Sequence, residues 1–173
     1  MRKDDLVIKI TKSPNQVRLM LSDQERAEIE QELAHYPTRQ AACVEALKVV
    51  QRRRGWVSDE HLQAVASLLG MTADELDGVA TFYSLIFRKP VGRHVVLLCD
   101  SVSCWMLGSQ SLRHHMERKL SVVQGGTTKD GRLTLLPVVC LGACDHAPVM
   151  MVDEDLHRDL DSEKIDRILE RYG

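Results

Sequence analysis

No stretch of this sequence approaches the roughly 18 consecutive apolar residues of a membrane-spanning helix, so none is expected. The N-terminus, MRKDDLVIKITKSPNQ, starts with basic residues but lacks an apolar segment of secretory-signal length. A cytoplasmic chain is the expectation. An excess of one charge sign is lacking too: 23 Lys and Arg against 25 Asp and Glu leave a formal net charge of −2. That gives no strong electrostatic case for nucleic acid or for an anionic membrane surface. Neither G-x-G-x-x-G nor G-x4-G-K occurs, so any dinucleotide or nucleotide site must be supplied from elsewhere. C-x-x-C is absent as well, which removes the spacing a dithiol oxidoreductase wants. Internal repeats and low-complexity segments are also missing.

What remains is an ordinary globular composition, 44% apolar and 28% charged, in a chain long enough for a respectable core. Residues 1 to about 88 read as helices. Ser22-Asp-Gln-Glu25 is a capping box that opens a polar helix ending near His35, before Pro37. Gln40 to Arg54 carries Ala42, Cys43, Ala46, Leu47, Val49 and Val50 at helical spacing. A third helix starts after Ser58 and stops at Gly70, and Thr72-Ala-Asp-Glu75 caps a fourth. Four short helices with short turns predict a small all-α bundle. Arg52-Arg53-Arg54 falls at a helix end just before Gly55, where cations complement the dipole; partner docking is the alternative. Cys43, among alanines on an apolar face, reads as a small buried hydrophobe.

The pattern changes at Lys89-Pro90-Val91-Gly92, a turn-rich boundary. Val95–Leu98 is a run of buried-strand length, Leu107 to Leu120 a helix, and Leu133 to Val139 and Val149 to Val152 are strands. The last helix starts near Ser162 and carries Ile165, Ile168, Leu169 and Tyr172 on one stripe. This order predicts a compact α/β domain with helices covering at least one sheet face. The organisation expected is an arm (1–20), a helical bundle (21–90) and a second domain (91–173).

Four of the five cysteines lie in that second domain: Cys99-x4-Cys104, then 35 residues, then Cys140-x3-Cys144. Both pairs follow an apolar strand. If those strands are parallel neighbours, both loops emerge at one end of the sheet, where open α/β sheets place their sites. A disulfide framework conflicts with the missing signal segment. An all-sulfur site accepts zinc or an iron–sulfur cluster. Structural zinc more often uses regular C-x2-C to C-x4-C knuckles, whereas the wider loops suit a [2Fe–2S] cluster with two thiolates per iron. Spacing alone leaves both open.

The cysteines do not stand alone. "GWVSDE" (55–60), "VATFYSLIF" (79–87), "PVG" (90–92), "LLCDSVSC" (97–104), "GGTTKDGRLTLLPVVCLGAC" (125–144) and "APVMMVDED" (147–155) occur in that order. Over roughly residues 20 to 173 they resemble the small [2Fe–2S] subunit of NADH:quinone oxidoreductase, respiratory complex I. The resemblance implies an α+β fold, a helical N-terminal bundle followed by a thioredoxin-like [2Fe–2S] ferredoxin domain. It implies one [2Fe–2S] cluster per chain, with Cys99 and Cys104 on one iron and Cys140 and Cys144 on the other. It also implies a partner flavoprotein subunit that binds NADH and FMN, other peripheral-arm neighbours, and a place on the cytoplasmic side of the inner membrane. No NADH oxidation is expected from this chain alone. The small diaphorase subunit of an NAD-linked hydrogenase or formate dehydrogenase is a similar alternative, and a four-cysteine zinc interaction module a more distant one.

Several other residues carry expectations. Gly142, inside the second loop, can take positive φ and let a backbone N–H approach a sulfur; the alternative is a plain turn glycine. Asp100 and Asp145 follow cluster cysteines and would lower the potential. Trp105-Met106-Leu107 is bulkier and more apolar than the family pattern. The resemblance leaves a cis Ala147–Pro148 bond open, since that position often carries a cis-proline in the thioredoxin-like fold. His114 and His115 are expected to face solvent. Phe82, Tyr83 and Phe87 divide between core packing and a partner interface.

Overall fold

The computed structural model describes residues 21–172, so the expected arm at 1–20 lies outside the described residues. The chain divides between Lys89 and Pro90 into two compact units, one helical and one mixed.

In the first unit, α1 (Asp23–Leu33) begins with the capping box. The Glu25 N–H donates to Ser22 Oγ at 3.1 Å, and the Ser22 N–H donates to Glu25 Oε2 at 2.8 Å. A single 3₁₀ turn (Gln40–Ala42) leads into α2 (Cys43–Arg54), which stops at Gly55 with φ 80°. Glycine takes that left-handed position without a Cβ penalty. Helix α3 (Asp59–Leu69) is capped by Ser58, and α4 (Ala73–Phe82) by the Thr72–Glu75 capping box. Ile29, Leu47, Val50, Val65, Leu69 and Leu76 have no exposed surface and form the centre of the core. Each such side chain contributes about 1.5–3 kcal/mol relative to leaving it in water. Cys43 is half-buried against this core and far in sequence from the other cysteines.

The arginine run does something its sequence position did not announce. Arg52 and Arg53 both reach Glu28 of α1 at 2.9 Å, Arg53 also donates to Gln24 at 3.2 Å, and Arg54 grips Glu25 at 2.6 and 2.8 Å. All three arginines therefore tie α2 to α1. The partners lie 24–29 residues upstream, and no local pattern reports them.

Residues 83–88 are pinned by two side chains. Gln51 Nε2 donates to the Leu85 carbonyl at 2.8 Å, and Gln51 Oε1 accepts from the Phe87 N–H at 2.6 Å. The Arg88 guanidinium binds Asp77 at 2.8 Å, Asp59 at 2.6 Å and the Val57 carbonyl. The core position in this segment goes to Ile86, while Phe82 is 81% exposed and stacks edge-on against Tyr83. Core packing was therefore the wrong expectation for Phe82.

The second unit is a four-stranded sheet in the order β2-β1-β3-β4. Strand β1 (His94–Cys99) pairs in parallel with β2 (Leu133–Val138), from His94 opposite Leu133 to Cys99 opposite Val138. On its other side β1 runs antiparallel to β3 (Met150–Val152), which turns into β4 (Asp155–His157). Between β1 and β2 come α5 (Val102–Met106) and α6 (Ser109–Leu120); α7 (Ser162–Arg171) closes the unit. Leu112 and Met116 of α6 and Ile165, Ile168 and Leu169 of α7 pack on Val96, Leu98, Leu135 and Met150 of the sheet. Pro137 is tolerated because β2 is an edge strand of the sheet. His115, expected in solvent, instead bonds Asp166 of α7 at 2.7 Å, whereas His114 is exposed.

The approach to β1 is tight. A Cβ on Gly92 would stand 2.9 Å from the backbone of Arg132 and Gly131. Backbone cannot step aside as a flexible side chain can. Gly92→Ala is expected to destabilise the second unit by about 1–3 kcal/mol, read as a lower urea midpoint with unchanged m-value.

Candidate metal centre

Because β1 and β2 are parallel and in register, their C-terminal ends lie side by side. Cys99 is the last residue of β1. Its N–H donates to the Val149 carbonyl at 3.2 Å, and the next N–H, of Asp100, donates to the Val138 carbonyl at 3.1 Å. Cys99 is thus held between β2 and the lead-in to β3. Ser101 then starts the short helix α5, whose single turn carries Cys104 inward to 1% exposure. Across from it, the chain leaves β2 at Val138, passes Cys140 and closes a 3₁₀ turn at Cys144–His146. The chain then returns to the sheet through a cis Ala147–Pro148 bond, the isomer the resemblance left open.

The four thiols stand as two unlike pairs. Cys140 and Cys144 are exposed, with sulfurs 3.4 Å apart, well beyond a disulfide bond. The Gly142 N–H donates to Cys140 Sγ at 3.3 Å, and Gly142 has φ 80° with no atom within 4 Å of a built Cβ. The reading of Gly142 as a sulfur-facing donor therefore holds over the plain turn. That hydrogen bond, then the one from Cys144, holds the Cys140 thiol below its ordinary value, while Cys140 pushes Cys144 up. Cys99 and Cys104 are buried. Burial first, and then the Cys99 contact, push Cys104 up to about 11, against a hydrogen bond from the Val149 N–H. The Ser103 side chain acts against that rise in Cys144, so the two loops meet here. Neither Ser103 nor Val149 was legible as a sulfur donor, since each depends on strands meeting across more than 40 residues.

Among the described residues, no three His, Cys, Asp or Glu side chains form a group that could hold a single metal ion. Two pairs of thiols on facing loops would suit a binuclear cluster, which takes two thiolates for each of two irons. Asp100 and Asp145 are both exposed beside these loops. Asp145 lies 3.5 Å from His146 Nε2, and His146 Nδ1 meets Asp159 at 3.1 Å. Around the cysteines runs an apolar rim: Val102, Trp105, Met106, Leu107 and Val139 are all between 60% and 73% exposed.

Residues 29–173 match the family model of the thioredoxin-like [2Fe–2S] ferredoxin. The chain belongs to that family. A [2Fe–2S] cluster is the family's cofactor, and the donor set just described fits it. The NADH-quinone oxidoreductase E subunit of Escherichia coli strain K12 is 54% identical over 152 residues, covering 88% of this chain and 92% of that one. The corresponding E subunit of Pseudomonas aeruginosa is 48% identical over 155 residues, covering 90% and 93%. A chain of a crystallised NAD+-reducing [NiFe]-hydrogenase shares the fold, with a TM-score of 0.64 at 24% identity. That match covers 76% of this ferredoxin-family chain but only 22% of the hydrogenase chain. Among the described residues, no helix is long and apolar enough to cross a membrane.

Proposed function

We propose that this chain is the electron-transfer subunit of an NADH-quinone oxidoreductase. In this reading Cys99 and Cys104 hold one iron of a [2Fe–2S] cluster, and Cys140 and Cys144 hold the other. The observation that carries it is the meeting of two cysteine pairs at the C-terminal ends of parallel strands, in a chain 54% identical to an E subunit of that enzyme over nearly its whole length. When bound, such a cluster supplies one-electron exchange. The chain's own residues do the rest. Strand β1 and helix α5 fix the buried pair, Gly142 and Val149 direct N–H groups at sulfur, and Ser103 joins the loops.

The flavin that gives up electrons belongs to a partner flavoprotein subunit binding NADH and FMN, since no dinucleotide motif occurs in this sequence. The exposed apolar rim beside the cysteines is the surface that supports docking of that partner. With other peripheral-arm subunits, the assembly would stand on the cytoplasmic side of the inner membrane. The similarity to the two bacterial E subunits, at 48–54% identity, favours this over a hydrogenase diaphorase, where identity is 24%.

The test is an EPR spectrum of anaerobically purified protein before and after dithionite, with iron and acid-labile sulfide assayed on the same sample. The expected result is a spin-half signal only after reduction, with about two irons and two sulfides per chain. Stoichiometric zinc without sulfide would overturn it. A smaller effect is expected of the acids. Asp100→Asn with Asp145→Asn should raise the midpoint by no more than about 40 mV, because both are exposed and salt-screened, the equivalent of about 1 kcal/mol for one electron. A rise that persists at high ionic strength would contradict the screened-surface account.

A further inference from the structure

The turn that carries Cys144 has little burial of its own to hold it. All three residues of Cys144–His146 are exposed, between the buried Ala143 and the buried Pro148. Across that gap the chain is fastened by hydrogen bonds to residues 159–160. The Asp159 N–H donates to the His146 carbonyl at 2.8 Å, and the Leu160 N–H donates to the Pro148 carbonyl at 3.0 Å. His146 Nδ1 also meets both oxygens of the Asp159 carboxylate, at 3.1 and 3.2 Å. A carboxylate only accepts here, so Nδ1 carries the proton. Leu160 is 6% exposed and belongs to the core between the sheet and its helices. A continuous path of contacts therefore joins that core to the turn, through Leu160, Asp159 and His146.

Asp159 stands at φ 47°, in the left-handed region that glycine enters without penalty. Aspartate and asparagine are among the side chains that tolerate it best. The backbone alone would favour glycine at this position, yet the carboxylate is the group that reaches His146. We propose that Asp159 is a positioning residue for the cluster. Its backbone N–H and its carboxylate together fix His146, and through His146 the direction of the Cys144 sulfur. The inference rests on Cys144 being an iron ligand. Asp145, 3.5 Å from the other ring nitrogen, belongs to the same turn and cannot tie it to the sheet.

Full-length protein loaded with iron and sulfide, challenged anaerobically with EDTA, gives a release rate from the decay of its visible absorbance. Asp159→Gly keeps the N–H and suits the φ but removes the carboxylate. It should release the cluster about three- to tenfold faster, because the lost hydrogen bond is an exposed one. Its urea midpoint should match the parent's, which separates a loosened turn from an unfolded unit, and the EPR line of its reduced cluster should broaden. Asp159→Asn keeps an oxygen acceptor at a tolerated φ and should restore the parent rate. His146→Ala should match Asp159→Gly, and the two together should be no faster than either alone, since both break one link. Parent-like release from Asp159→Gly protein, no rescue by asparagine, or rates that multiply in the double variant would each overturn the proposal. A parent chain that loads zinc without sulfide defeats the proposed function instead, whereas equal release from chains shown to hold iron and sulfide defeats the role of Asp159 alone.

Discussion

Cys104→Ala protein is expected to carry less than about one tenth of the iron and acid-labile sulfide of the parent chain. Losing a group that only supports a metal ligand typically costs 10–100-fold in affinity, and losing a ligand itself costs at least as much. Cys104, like Cys99, is least able to be replaced by solvent. It is 1% exposed, carried inward by α5, and hydrogen-bonded by the Val149 N–H. Cys43→Ala is the control. That residue packs on the helical core, and its replacement should leave iron and sulfide untouched. Full iron content in Cys104→Ala protein would sink the ligand assignment, while loss in Cys43→Ala protein would expose a general folding defect.

The second large effect belongs to the helical unit. Glu25→Ala is expected to lower its stability by about 3 kcal/mol, the lower end of the cost of breaking a buried ion pair. The lower end applies because Arg54, the surviving partner, is 36% exposed and can be hydrated. Glu25 itself is 1% exposed. Burial raises its pKa, but hydrogen bonds from Arg54 and Ser22 outweigh this and bring it from the ordinary 4.5 to about 2. The folded-state value is depressed, so the stabilisation is complete above about pH 4.5 and lost as pH falls toward about 2. Urea unfolding followed by helical circular dichroism should show the two proteins separated at pH 7 and converging in acid. A gap that stayed constant across that window would mean lost packing rather than lost charge. Replacing both partners, Glu25→Met with Arg54→Met, should recover much of the loss, because no unpaired guanidinium is left behind.

What could be read beforehand was what is written locally. Both capping boxes, Ser22–Glu25 and Thr72–Glu75, lie within four residues and formed as expected. The glycine stops at Gly55 and Gly70 are equally local. Helix α5 was not anticipated, because its five residues turn Cys104 inward and leave Val102, Trp105 and Met106 in solvent, the reverse of an amphipathic signal. The helix expected from Leu107 starts instead at Ser109, since Gly108 adopts a left-handed φ and separates α5 from α6. Strand β4, Asp155–His157, has no apolar run to announce it. The Arg52–Arg54 ties to α1, the His115–Asp166 bond and the Ser103–Cys144 contact span from 24 to 51 residues, and spacing carries no record of such partners. The cysteine pairs were the exception among long-range features. Each follows its own apolar strand, so a single assumption of parallel pairing was enough to bring them together.

That parallel pairing also sets an order of events. Strand β1 is complete at Cys99, but it gains β2 only at residues 133–138 and β3 only at 150–152. Helices α1 to α4 need nothing beyond residue 89, and local contacts form early and fast. The cysteine corner is instead among the last geometries the chain can reach, because the Val149 N–H must arrive beside Cys104 before the buried pair has its surroundings. Iron and sulfide must therefore be delivered to a nearly finished polypeptide. Until then its four thiols wait in the company of their own unformed sheet.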